Sequence, residues 1–238
     1  HVIVVDGPCV YNVVHDEIVS ASLPAVNSPN NERNCKIISL IMVPNPCDDM
    51  SQVVDLLHDF KGDTLSVDIP EGSYTISAVV LVNNFMRVID GAPGADGPVV
   101  NHYDKNAVNR YLYRMSNTLK DYLDCDLSDY FRAMFMDSME LEGSNWSDDF
   151  AEEFESRRGY DVMPYLNFIL WKTRGMGDPV SYKPLIATSD SLSEIVKRVR
   201  YDFELTKAEL LRENFTEPYA EWCKSINLKS RGQAYGRG

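Results

Sequence analysis

The stretch MFMDSMELEGSNWSDDFAEEFESRR, residues Met134 to Arg158, decides how the second half of the chain is read. An apolar run from Tyr130 to Met136 has the length of a strand and stops at Asp137. Three carboxylates follow closely, Asp137, Glu140 and Glu142, and then a polar segment with Asn145 and Trp146. Ser147 has the chemistry of a helix N-cap, with Asp148 and Asp149 suited to a first helical turn and Gly159 to a stop. Phe150 and Phe154 would form the buried edge of that helix. A strand that hands carboxylates to its carboxyl end is how α/β barrels assemble active sites. Paired Asp and Glu groups are also what cleavage of a glycosidic bond requires.

Outward from this segment the periodicity stays helical. Val108, Tyr111, Leu112, Met115, Leu119 and Tyr122 recur at spacings of three and four, which predicts an amphipathic helix over 104–123. Val99–Asn101 reads as a brief strand before it. Further on, Val196, Val199, Phe203, Leu211, Phe215, Tyr219, Trp222 and Ile226 mark the apolar face of a helical region over 191–226. Pro218 is expected to kink or divide that region. Lys229–Gln233 is the last strand candidate. The second half is therefore β-α-β-α-β in outline, which predicts parallel pairing. A doubly wound nucleotide fold has no support, because no strand is followed by a glycine-rich phosphate-binding motif.

The Gly/Pro-rich GAPGADGP at 91–98 separates this region from a β-rich first half. There, Val2–Val5 reads as a short strand ended by Asp6-Gly7-Pro8, and Lys36–Val43 as a second. Thr64–Ile69 alternates, and Pro70-Glu71-Gly72 has the chemistry of a turn leading into Tyr74–Val82. Pro24–Asn34 reads as a mobile loop. The expected fold is α/β: a partial (β/α)8 TIM-barrel segment, residues 99–238, preceded by a small antiparallel β-rich region, residues 1–98. A whole barrel takes about 250 residues, so 99–238 has room for only part of one.

With 36 acidic and 23 basic residues the chain carries a net charge of −13. Such a chain repels phosphate backbones, which argues against a nucleic-acid partner, whereas a neutral sugar or a cation suits it. Solubility alone accounts for most of these charges. No apolar run approaches the length of a membrane span. The five cysteines, Cys9, Cys35, Cys47, Cys125 and Cys223, have no CxxC spacing, which argues against a structural zinc site. Their odd number leaves at least one free thiol, and most are read as buried small hydrophobes. The opening HVIVVDGP has neither a start Met nor a signal core, so the chain reads as part of a longer precursor.

The run DSMELEGSNWSDDFAEEFESRRGYD (Asp137–Asp161), followed by MPYL (Met163–Leu166), resembles the α-L-rhamnosidases of glycoside hydrolase family 106. RYDFELTKAELLRENF (200–215) is similar to the family's next helix. GQAYG (Gly232–Gly236) resembles its Gln-Ala-His-Gly strand end, with Tyr235 in place of the usual His. DIPEGSYT (Asp68–Thr75) resembles part of a β-rich insertion in such proteins. The resemblance implies a (β/α)8 catalytic domain, an inverting mechanism and an active-site calcium ion, Ca2+. It sets Glu140 at the family's active-site glutamate, the general acid. It also implies that the second essential glutamate lies beyond Gly238 and the earliest barrel strands before His1. The chain is then an interior slice of a periplasmic or secreted bacterial enzyme, acting on rhamnosyl side chains of plant or microbial polysaccharides.

Each candidate residue has a plainer alternative. Glu140 is flanked by Met139 and Leu141, and a carboxyl among apolar side chains keeps its proton toward neutral pH, as a general acid must. Its alternative is an exposed loop glutamate. Asp137 either meets a sugar hydroxyl or orients Glu140, or else it bonds local backbone as a turn aspartate. Glu142 is a candidate for sugar or calcium contact, against a solvated loop charge. Asn145 is a candidate sugar contact, whereas Trp146, beside the N-cap, reads as core or staple. His102 would share a barrel mouth with Glu140, and Asp104 reads as a helix N-cap. Gln233 and Tyr235 end the last strand and are candidates to line the sugar site. Arg157, Arg158 and Lys172 read as structural.

Three functions compete on these residues. One is a rhamnoside hydrolase, and one is a carbohydrate-binding or scaffold fragment that keeps the fold without the chemistry. The third is a retaining glycosidase of another barrel family. Carboxyl separation distinguishes the chemistries: about 5–5.5 Å for retaining pairs and about 6.5–9.5 Å for inverting ones.

Overall fold

The computed structural model describes residues 1–22, 35–83, 88, 93–94, 97–137, 144–170 and 183–233. The chain is mixed α/β and sorts into two compact units. One comprises His1–Phe85, Ala151–Arg174 and Pro179–Phe203; the other comprises Met86–Phe150, Gly175–Asp178 and Glu204–Gly238. The expected loop at Pro24–Asn34 lies outside the described residues.

The first unit is built on a four-stranded antiparallel sheet. Its strands are β1 (Val2–Val14), β2 (Cys35–Pro44), β3 (Val54–Asp55) and β4 (Thr64–Val82), in the order β1-β4-β2-β3, with helix α1 (His15–Ser22) following β1. The alternation read at Thr64–Ile69 is a one-sided burial pattern: Leu65, Val67 and Ile69 join Ile37, Leu40, Met42, Ile76 and Ile18 of α1 in one core. Farther along β4, Thr75 to Ala78 are buried on both faces of the strand. The second face is covered by the short helix α4 (Leu166–Ile169), whose buried Asn167 ties two strands together. Its Nδ2 donates to the Ser77 carbonyl and hydroxyl, both at 3.0 Å, and its Oδ1 accepts from the Ser39 hydroxyl at 2.6 Å. These bonds satisfy polar groups that burial would otherwise penalise.

Two expectations about this sheet are corrected. The strand at Val2–Val5 does not end at Asp6-Gly7-Pro8 but continues to Val14. Pro70-Glu71-Gly72 is not a reversal either, because β4 runs straight through it. The two breaker-rich segments lie opposite each other. Gly7 pairs with Gly72, and a register shift between Gly7 and Cys9 lets Pro8, Pro70 and Glu71 drop out of the ladder. Prolines cannot donate to a ladder, so placing them in a common bulge removes the conflict. Local turn chemistry has been absorbed into an irregularity of two long strands.

Gly7 is required there by close approach. A Cβ on Gly7 would lie 1.9 Å from the Pro70 carbonyl oxygen, a backbone atom that cannot swing aside. Gly7→Ala is expected to lower stability by about 1–3 kcal/mol, the usual cost of overpacking. A urea titration checks this; an unchanged midpoint would mean that the two strands separate there without cost.

Three further helices are α3 (Phe150–Arg158), α5 (Asp190–Leu211) and α6 (Glu217–Ser225). Ser147 marks the start of α3 through its carbonyl, which accepts from Phe150 N at 3.1 Å, so Asp148 and Asp149 form the turn before the helix and not its first turn. Gly159 ends it with φ at +80°. Phe150 and Phe154 are fully buried, as the pattern predicts. Arg157 has the structural role expected of it, holding Glu153 one turn back at 2.8 Å. Lys172 lies outside the described residues. The Ser189 hydroxyl accepts from Leu192 N at 3.1 Å and caps α5, whose Val196, Val199 and Phe203 are buried.

The second unit contains α2 (Lys105–Leu123), strands β5 (Ala133–Met136) and β6 (Lys229–Gly232), and α6. Asp104 is the N-cap of α2, its carboxylate accepting from Asn106 N at 2.8 Å and Ala107 N at 3.0 Å. The buried stripe of α2 is narrower than the periodicity suggests. Val108, Leu112 and Ser116 are buried, while Tyr111 and Tyr122 are exposed. Val99–Asn101 is not a strand. Instead the Asn101 carboxamide oxygen accepts from Tyr103 N at 3.0 Å, a turn that leads into the cap. The helical region at 191–226 is divided at Pro218, where one π-helical turn (Arg212–Thr216) separates α5 from α6. Pro218 has no N–H for the carbonyl four residues earlier, and a widened turn accommodates the missing bond.

β5 and β6 pair in parallel, as predicted. Met134 and Met136 pack against Tyr219, Trp222 and Cys223 of α6 and against Val108 and Leu112 of α2. The Tyr219 hydroxyl donates to the Met134 carbonyl at 2.9 Å, which fixes the helix to the strand. Its phenol is pushed up to about 12, chiefly by burial and then by Cys223, so it stays a donor. None of the five cysteines forms a disulfide, and only Cys47 and Cys223 are buried, which corrects the reading that most are. Among the described residues no helix is long and apolar enough to cross a membrane.

Candidate functional site

The candidate site begins where the two parallel strands end. Met136 pairs with Gly232, and Gln233 N donates to the Met136 carbonyl at 3.0 Å. Asp137 and Gln233, the next residue on each strand, therefore stand side by side on the carboxyl-end rim, both exposed. This is the rim on which parallel α/β sheets carry their functional loops. Glu140, Glu142 and Tyr235, along with Ser138, lie outside the described residues.

Asn145 and Trp146 are half-buried. The Trp146 ring packs on Phe150 at a centroid distance of 4.8 Å, so the core reading of the tryptophan holds. The Ser144 carbonyl accepts from the Tyr103 hydroxyl at 3.2 Å. Tyr103 is buried, and its own carbonyl accepts from Asn214 Nδ2 at 2.7 Å. His102, beside it, is buried against Phe215 with ring centroids 4.4 Å apart. The structure thus brings Asp137 and Gln233 together. It sets Asn145 next to a residue pinned by Tyr103, and it turns the His102 ring into the interior.

Burial holds the His102 imidazole below its ordinary pKa of 6.5, against a smaller upward pull from its hydrogen bond to the Val100 backbone. The folded chain keeps this ring neutral where the unfolded chain takes up a proton. Stability is therefore expected to fall as pH drops from about 6.5 toward the lowered folded value, because the unfolded state binds more protons over that window. His102→Gln is expected to flatten this part of the stability profile relative to wild type, as read from urea midpoints between about pH 7 and about pH 5. Equal slopes in the two proteins would put the ring in contact with water.

Tyr103, Asn214 and Phe215 were missed as site elements. Nothing in their spacing marks them, because each acts through a contact across the fold. The one available signal was Pro218, which forces the widened turn that carries Asn214 and Phe215. Among the described residues no three His, Cys, Asp or Glu side chains gather as metal ligands. The calcium ion implied by the resemblance enters no step below.

A family model described as alpha-L-rhamnosidase matches residues 39–238. Among solved structures, the rhamnosidase from Novosphingobium sp. PP1Y is similar at 26% sequence identity with a TM-score of 0.55. The match covers 78% of this chain and 17% of that one, so the chain spans about a sixth of the length of that relative. No curated protein matches the chain.

Proposed function

The chain belongs to glycoside hydrolase family 106, the α-L-rhamnosidases, and from that premise we propose that it carries the proton-donor side of an active site that cleaves α-L-rhamnosides with inversion. The observation that carries this reading is the parallel pair β5–β6, whose carboxyl ends set Asp137 beside Gln233 within the matched region. On this reading β5 and β6 are neighbouring strands of a partial (β/α)8 barrel spanning 99–238, and 1–98 is an insertion-like region before it. The exposed Phe135 on β5 suits a strand that further parts of a larger enzyme would cover.

Glu140 acts as the general acid, protonating the glycosidic oxygen as the bond to the anomeric carbon breaks. Water attacks the opposite face of the sugar, activated by a base that is not assigned to a residue of this chain. Asp137 and Gln233 bond sugar hydroxyls from the rim, joined by Asn145, Glu142 and Tyr235. His102 lies in the interior against Phe215. Side chains of plant or microbial polysaccharides are the substrate class, which puts the reaction in the periplasm or outside a bacterial cell.

The test follows products by proton NMR as the full-length enzyme cleaves p-nitrophenyl α-L-rhamnoside. β-L-Rhamnose forming first is the expected result. α-L-Rhamnose forming first would mean a retaining mechanism. Rhamnose binding without turnover would leave a carbohydrate-binding protein.

A further inference from the structure

We infer that the uncovered face of the β5–β6 pair binds an anionic group of the substrate: Arg231 holds the carboxylate of a uronic acid to which the rhamnose is linked. The inference rests on the reading of the carboxyl-end rim as the sugar site.

The two faces of this small sheet differ in kind. Met134 and Met136 turn one way, into the core formed with α2 and α6. Side chains alternate along a strand, so Ala133, Phe135 and Asp137 of one strand share the other face with Lys229, Arg231 and Gln233 of its neighbour. In register, Ala133 stands opposite Lys229 and Phe135 opposite Arg231. The Arg231 guanidinium lies over the Phe135 ring, 5.3 Å from its centroid, and both residues are exposed. Asp137 and Gln233 follow two residues later, so the Arg231–Phe135 layer lies about 7 Å beneath the rim.

Charge singles this face out. The chain as a whole carries −13, which disfavours anionic partners. Yet the β6 side of the face offers Lys229 and Arg231 and no carboxylate, and among the described residues neither cation makes an ion pair. Asp137 stands on the β5 side, in line with Phe135 and not with Arg231. A guanidinium stacked on an aromatic ring is a planar fork already oriented, so little order is lost when it pairs. Its parallel N–H groups match a carboxylate in a two-point contact. Neutral sugar hydroxyls account for Asp137 and Gln233 but leave the two cations unexplained. On the barrel reading the rival occupant is a carboxylate from another strand of the larger enzyme. The layer next to the rim is the one a substrate reaches, which favours the glycan.

The test uses the full-length enzyme and two ligands of nearly one shape: thio-linked α-L-rhamnosyl glucuronic acid and its methyl ester, which lacks the charge. Calorimetry should give a Kd about tenfold or more lower for the acid than for the ester, as a charge-assisted contact requires. Arg231→Gln should bring the ratio of the two Kd values close to one, and Arg231→Lys should restore part of it. The oxygen-linked pair should show the same ratio in kcat/KM. An acid bound no tighter than its ester by the wild type would overturn the inference, as would a preference that survives Arg231→Gln. Equal losses on both ligands, with a lowered urea midpoint, would mean that Arg231 pairs within the protein, and would overturn it too. If the acid is preferred through Arg231 but neither rhamnoside is turned over, the hydrolase reading is what fails, and the carboxylate site stands.

Discussion

Glu140→Gln is expected to lower kcat by about 10²–10⁴-fold, the range that a positioned general acid contributes. The substitution keeps the size of the side chain and removes the transferable proton, so KM should stay close to wild type. A loss confined to kcat identifies an interaction made in the transition state and not one shared with ground-state binding. The alkaline limb of the wild-type pH profile, where the acid loses its proton, should vanish in the variant. Steady-state kinetics across pH in the full-length enzyme checks both. Unchanged kcat would return Glu140 to the role of an exposed loop residue.

The second large effect is on stability. Trp222 is 1% exposed, and its ring packs with Tyr219, Phe215 and Leu112 in the core behind β5. Its indole N–H donates to the Ser116 hydroxyl at 3.2 Å, which lets a polar residue of α2 be buried there. Trp222→Ala removes the largest side chain of this core and leaves that hydroxyl without one of its partners. The expected cost is about 3–5 kcal/mol, a large share of the roughly 5–15 kcal/mol that holds a typical protein folded. Trp222→Phe keeps much of the packing and loses the bond, so it should cost about 1–2 kcal/mol. Denaturant midpoints of the two variants measure the difference. Equal costs would mean that the indole N–H, not ring volume, carries the stabilisation.

Local signals were legible in the sequence wherever one residue acts on its own neighbours. Asp104 caps α2, Gly159 ends α3 and Pro218 divides the long helical region, because capping and donor loss are short-range effects. The same local reading failed at Gly7-Pro8 and Pro70-Gly72. Each looks like a turn in isolation, and only pairing across β1 and β4 makes them one shared bulge. Tyr111 and Tyr122 fit a helical period yet stay exposed, because the period marks a face and cannot say how wide its partner is. For the site, the strand end at Asp137 followed from the pattern, whereas its place beside Gln233 came only with the register of β5 on β6. Nor did the contact from Tyr103 to Ser144 follow from the pattern, because it depends on tertiary packing that no spacing encodes.

That this chain supplies the proton in rhamnoside cleavage can be decided by one ratio. It is kcat/KM for p-nitrophenyl over methyl α-L-rhamnoside, taken for the wild-type full-length enzyme and for Glu140→Gln. Removing the donor should raise that ratio by about tenfold or more, because only the poor leaving group depends on protonation. A ratio that stays put while both rates fall would assign Glu140 to binding or folding, and the proton donor would have to be sought at another residue.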